Sequence, residues 1–127
     1  MACNANSSTL EVDFETLTVT RRFESGKGPY NLATTSDGRL PIATNKGAQS
    51  VSIFDLREGS EIARIPTSQL VTHGVTVSTD GRFAFVSNEA IGAVRGTVGV
   101  IDLAMLERVA SIIGRWNPWR DNPDGSN

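Results

Sequence analysis

One histidine, one cysteine and three similarly placed aspartates are the residues of this 127-residue chain best suited to chemistry. His73 needs partners of its own before it can act as general base or metal ligand, because a lone imidazole neither holds a metal nor activates a nucleophile. A Ser–His–Asp triad would have to use His73, and no Gly-x-Ser-x-Gly elbow is there to present the serine. Asp13, Asp55 and Asp102 each follow an apolar residue at a turn. A carboxylate pair doing acid–base work needs two unlike environments, so three like contexts point to turn capping instead. Gly26-Lys27-Gly28 lacks the spacing and the following helix of a phosphate loop. Asn122-Pro123-Asp124-Gly125 is not a calcium loop, since Arg120 takes the first ligand position and no bidentate glutamate follows. Asn6-Ser7-Ser8 fits a glycosylation sequon, which matters only in a secretory eukaryote. Cys3 has no disulfide partner in the chain and reads as a small buried apolar residue. The sequence therefore predicts no catalytic residue, no metal and no cofactor.

The elements that must position these residues come from an internal repeat. Ala43-Thr44-Asn45 matches Val86-Ser87-Asn88, and both match Ala2-Cys3-Asn4, with the asparagines 41 and 43 residues apart. Ser36-Asp37-Gly38-Arg39 matches Thr79-Asp80-Gly81-Arg82 at an offset of 43. A third mark is Val12-Asp13, Phe54-Asp55 and Ile101-Asp102; ten residues after each aspartate stands Phe23, Ile65 or Ile112. Within one period the pattern alternates. Val51-Ser52-Ile53-Phe54, Glu61 to Ile65, Val75-Thr76-Val77 and Phe83 to Val86 are short period-two runs broken by Asp-Gly and Gly-Ser turns. Such runs predict antiparallel strands. Leu103 to Val109 is long enough for one helical turn, but its place in the repeat predicts strand–turn–strand. About four strands per forty residues is the pattern of propeller blades, so the predicted fold is all-β, an incomplete β-propeller of four-stranded antiparallel blades.

The repeat also carries a family resemblance. Phe85-Val86-Ser87-Asn88 and Ile42-Ala43-Thr44-Asn45 resemble the Tyr-Val-Thr-Asn hook of the YVTN β-propeller repeat family, a WD40-like architecture. His73 to Arg82 is similar to its first strand and turn, and Val51 to Ile65 and Val98 to Ile112 to its third and fourth strands. The resemblance spans residues 2–114 and implies a fold, not an activity. Related propellers include lactonase-like hydrolases and redox proteins with a metal or quinone in the channel.

The expected organisation is a partial blade at 1–24, a full blade at 25–66, a second full blade at 67–114 with a longer loop at 89–97, and an irregular tail at 115–127. Two and a half blades leave two apolar faces uncovered where a ring needs four to eight blades, so the chain reads as a fragment of a longer protein or as a subunit that self-associates. Pro41 falls in the middle of a predicted second strand, where the missing N–H would cost about 1 kcal/mol and force a bulge. Trp116 and Trp119 break the alternation and are candidates to cover a free face.

Strand alternation puts the start of each first strand and the end of each second strand on one face of the ring. That face gathers Lys27, Tyr30, Asn31, Asn45, Lys46, His73, Asn88, Glu89 and Arg95. The candidate binding residues are Tyr30, Asn45, His73, Asn88, Glu89 and Arg95, beside a loop in which Asn88 to Asp102 takes 14 residues against 10 from Asn45 to Asp55. The expected role is binding or scaffolding rather than catalysis, toward an unknown ligand or partner protein on the His73 face. A net charge of −2 without a basic stripe excludes a nucleic-acid partner. No run of about eighteen apolar residues predicts a membrane span. Residues 1–4 lack signal-peptide layout, so a periplasmic or extracellular location would require that signal in a longer parent.

Overall fold

The computed structural model describes residues 1–89 and 95–113. They form three antiparallel sheets and one short 3-10 turn at Asn4–Asn6. The first sheet has the order β1 (Ala2–Cys3), β2 (Ser8–Val12), β3 (Val19–Glu24). The second runs β4 (Pro29–Thr34), β5 (Pro41–Asn45), β6 (Ser50–Asp55), β7 (Ser60–Pro66). The third runs β8 (Val71–Val77), β9 (Phe83–Glu89), β10 (Thr97–Asp102), β11 (Glu107–Ile113). Every neighbour in a sheet is also a neighbour in sequence, the meander of a propeller blade. The inner strands β4 and β8 adjoin, β1 lies against β4, and the outer strands diverge, so the three blades fan out without closing a ring. The residues 103–106 form the turn between β10 and β11. No helix among the described residues is long and apolar enough to cross a membrane.

The core lies between blades. Ile42, Val51, Ile53 and Ile65 of the second blade meet Ala84, Val86, Ile101 and Leu103 of the third. Ala43 and Phe54, on the other face of the second blade, meet Phe23 of the first, with the two rings 5.4 Å apart and tilted by 50°. Removing one such aliphatic or aromatic side chain from water contributes about 1.5–3 kcal/mol. The second blade, apolar on both faces, is thus the centre of the molecule.

The aspartates do what their repetition predicts. The Oδ1 of Asp13 accepts from the N–H groups of Glu15 and Thr16, that of Asp55 from Arg57, and that of Asp102 from Ala104 and Met105. Four residues after each, the chain turns through a left-handed residue: Leu17 (φ 55°), Gly59 (φ 71°) and Leu106 (φ 55°). The N–H of each donates back to its aspartate's carbonyl. A β-bulge precedes all three turns. Asp55 is the most engaged: Arg39 donates to its Oδ2 through Nε (3.2 Å) and Nη2 (2.8 Å). That guanidinium holds the carboxyl below the usual carboxylate range, against the opposing push of burial, with the Arg57 N–H assisting.

Two expectations change. Pro41 is the first residue of β5, not its middle, where a missing N–H costs little. The bulge in that hairpin falls on β4, between Pro29 and Leu32. The asparagine match at Asn4 is out of register: Cys3 pairs with Ser8 as Asn45 pairs with Ser50 and Asn88 with Thr97. Cys3 therefore holds the hook position of the first blade, half-buried, and Asn4 lies in the following turn.

Candidate functional site

The entrances of the two complete inner strands are built alike. In β4 the ladder skips from Pro29 to Leu32, and in β8 from Thr72 to Val75. Each skip releases two residues from pairing, Tyr30-Asn31 and His73-Gly74, and re-aims their side chains. Tyr30 and His73 stand one repeat apart, and their rings stack at 4.8 Å between centroids with a 38° tilt. Such a pair contributes about 0.5–1.5 kcal/mol beyond its buried area.

Thr44 fixes the stack from below. Its hydroxyl, fully buried, accepts from the Asn31 N–H at 3.0 Å and donates to the His73 carbonyl at 2.8 Å. One side chain thereby ties the bulge of one blade to the bulge of the next. In the third blade Ser87 accepts from the Gly74 N–H at 2.9 Å. Thr44 is not among the six residues that the sequence places at the binding face. Its signal was present in the penultimate place of the Ile42-Ala43-Thr44-Asn45 hook, repeated as Ser87.

The stack carries a charge at each end. Lys46 places Nζ 4.7 Å from the centre of the Tyr30 ring, a cation–π contact. Glu89 places Oε1 3.5 Å from Nδ1 of His73, within ion-pair reach when the imidazole is protonated. Lys46 and Glu89 occupy the same position in consecutive repeats. The four side chains therefore form a row, cation–aromatic–imidazole–carboxylate, along the rim where the inner strands begin. Tyr30 is 47% exposed and the His73 side chain 34%, so the row is open to solvent.

Of the six residues selected from sequence, Tyr30, His73 and Glu89 come together. Asn45 and Asn88 do not line the row: they are 0% and 3% exposed beneath it. Asn45 Nδ2 donates to Ser50 Oγ at 3.0 Å and Ser52 Oγ at 2.8 Å, and Asn88 Nδ2 to Thr97 Oγ1 at 3.2 Å. Both are hooks between second and third strands. Arg95 is exposed ahead of β10. The centre of the longer loop, 90–94, and the tail from 114 onward, with Trp116 and Trp119, lie outside the described residues. Among the described residues no three His, Cys, Asp or Glu side chains are grouped to hold a metal ion.

Comparison with solved structures places this geometry in the propeller class. The chain is similar to Kuenenia stuttgartiensis hydrazine synthase, with 29% identity and a TM-score of 0.81 over 88% of this chain and 31% of that one. It is also similar to the dihydro-heme d1 dehydrogenase NirN in complex with DHE, with 24% identity and a TM-score of 0.72 over 86% of this chain and 22% of that one. The chain thus spans less than a third of the length of either structure. No protein-family model and no curated protein matches it.

Proposed function

We propose that the chain is a stretch of a YVTN-type propeller ring whose channel-side rim binds a small ligand or a partner segment. The observation that carries this reading is the Tyr30–His73 stack, built by bulges at equivalent positions of neighbouring inner strands and locked by Thr44. Bulges that turn paired residues out toward solvent serve display. The exposed aromatic pair offers a flat surface, and Lys46 and Glu89 offer one charge of each sign to orient what lies on it. Scaffold need does not account for the charges, because the repeat carries lysine in one blade and glutamate at the same place in the next.

A fragment screen on the full chain by amide chemical-shift mapping tests the proposal. Hits are expected to converge on Asn31, Gly74 and Glu89, and to vanish in Tyr30→Ala. Hits scattered over the surface, or confined to the outward face of the third blade, would sink it.

A second reading, an enzymatic ring of the hydrolase or redox kind, draws on His73 and on what the neighbours' names say of those proteins. A carboxylate beside Nδ1 is the arrangement that orients an imidazole whose Nε2 serves as ligand or base. The remaining ligands would have to come from blades outside this sequence. Stoichiometric metal in the closed ring that contains this sequence, lost in His73→Ala, favours this second reading; metal content indifferent to that substitution favours the first.

A further inference from the structure

The sequence contains two lysines, Lys27 and Lys46, and both line one cleft. The cleft lies between the first two blades, has a volume of ≈ 420 Å³, and is bounded by Asn4, Ala5 and Ser7 on one side and Lys27, Gly28, Lys46 and Gly47 on the other. Among the described residues no carboxylate lines it, in a protein of net charge −2. Neither lysine makes an ion pair among the described residues; the Lys46 ammonium lies over the Tyr30 ring.

The backbone that carries the lysines is strapped. Lys46 N–H donates to Gly28 O at 2.8 Å and Gly47 N–H to Lys27 O at 3.0 Å, so the blade linker and the β5–β6 loop are zipped together. Both glycines are needed for this approach. A Cβ on Gly28, itself at φ +68°, would come within 2.9 Å of Gly47 N, and a Cβ on Gly47 within 3.1 Å of Lys27 O. The zip fixes both lysines in one wall of the cleft.

The repeat supplies a control. At the next junction, between the second and third blades, the positions of Lys27 and Lys46 are taken by Leu70 and Glu89. The blade architecture therefore does not require a lysine at either place. A cleft that two lysines border and that no carboxylate among the described residues borders offers an anion a favourable field. A cleft of small-molecule size, lined by two lysines with neighbouring Asn and Ser, suits a compact anionic group that the long lysine side chains can reach.

We infer that this cleft is an anion site for the phosphate or paired carboxylates of a small molecule. The inference rests on the rim reading only in that Lys46 borders both the cleft and the Tyr30–His73 row.

The test is an amide chemical-shift titration of the full chain with methyl phosphate and, separately, succinate, at ionic strength held constant with sodium chloride. Saturable shifts at Ser7, Gly28 and Gly47 are expected, with affinity at least tenfold weaker in Lys27→Gln and unchanged in an Arg57→Gln control. A stronger response to methyl phosphate identifies a phosphate ligand, and a stronger one to succinate a dicarboxylate. Absence of saturation, equal shifts with chloride alone, or full affinity in Lys27→Gln overturns the inference. Lys27 lies outside the aromatic row, so fragment binding at Asn31 and Gly74 that survives a failed anion titration sinks the cleft and leaves the rim standing. The reverse result sinks the rim alone.

Discussion

The second and third blades carry the same rungs in opposite circumstances. In the second blade Ile42, Ile53 and Ala63 form one cross-strand rung and Thr44, Val51 and Ile65 the next, and the third blade covers both. In the third blade the equivalent rungs are Phe85–Val100–Ala110 and Ser87–Val98–Ile112, and they face outward. Ile42, Ile53 and Val51 are 0% exposed, whereas Phe85 is 36% and Ile112 56% exposed. Composition does not separate the two faces; the presence of a neighbouring blade does. The surface that looks like an error in one blade is the core of the blade before it.

Identical substitutions at equivalent positions break or sharpen that contrast. Val51 and Val98 occupy the same place in their rungs. Val51→Ala is expected to lower unfolding free energy by about 2–3 kcal/mol and Val98→Ala by under about 1 kcal/mol, read from urea denaturation. Equal losses would mean that the outward face of the third blade is covered in solution, by a second molecule where light scattering reports a defined oligomer and by the chain itself where it reports a monomer. Gly26→Ala comes next. A Cβ there meets Asn45 Nδ2 at 2.4 Å inside the hook, and overpacking of that kind costs about 1–3 kcal/mol. The matching linker position in the third blade is Gln69, where truncation to alanine is expected to stay within about 0.5 kcal/mol.

The acid limb of stability distinguishes the blades less strongly. Asp55 is held below the ordinary carboxylate range by Arg39, so its contribution is complete above the unfolded carboxyl's pKa and disappears as pH falls through the folded value. Arg39→Gln should therefore move the midpoint of acid unfolding to higher pH. Arg82→Gln, its counterpart, should move that midpoint less, since Arg82 lies over the Phe83 ring and only adds a weaker charge effect at Asp80. The smallest effect is expected at the left-handed turn residues. Leu17 is 76% exposed and Leu106 packs on the core. Leu17→Gly should raise the melting temperature slightly, by up to about 1 kcal/mol of relieved strain. Leu106→Gly should lower it, as lost packing outweighs relief.

What was legible in the sequence is what one blade decides alone. Alternation in Val51 to Phe54 and Phe83 to Val86, and the turns at Asp13, Asp55 and Asp102, depend on neighbours a few residues away, and the strands and caps follow from them. Pro41 and Asn4 misled because strand ends shift by one residue without changing composition, and ladder register shows only when both strands are seen. The Lys46–Tyr30–His73–Glu89 row was legible by face and not by contact. Tyr30, His73 and Glu89 could be assigned to one rim, but the stack between Tyr30 and His73 and the bridge through Thr44 cross from one blade to the next. Those contacts depend on the wedge angle between sheets, which no local pattern encodes. The lysine cleft stayed hidden for the same reason: Gly26-Lys27-Gly28 looked like a linker because its partner, Lys46-Gly47, is a loop of another hairpin.

The zip between linker and loop has a consequence for proteolysis. A protease specific for lysine has only Lys27 and Lys46 to cut, and both peptide segments are tied to each other by main-chain hydrogen bonds. Cleavage requires the strapped segment to open into an extended strand in the enzyme's own groove. The rate of nicking by such an enzyme is therefore a direct gauge of how often the linker ahead of β4 unzips from the β5–β6 loop, with no other lysine in the chain to blur the reading.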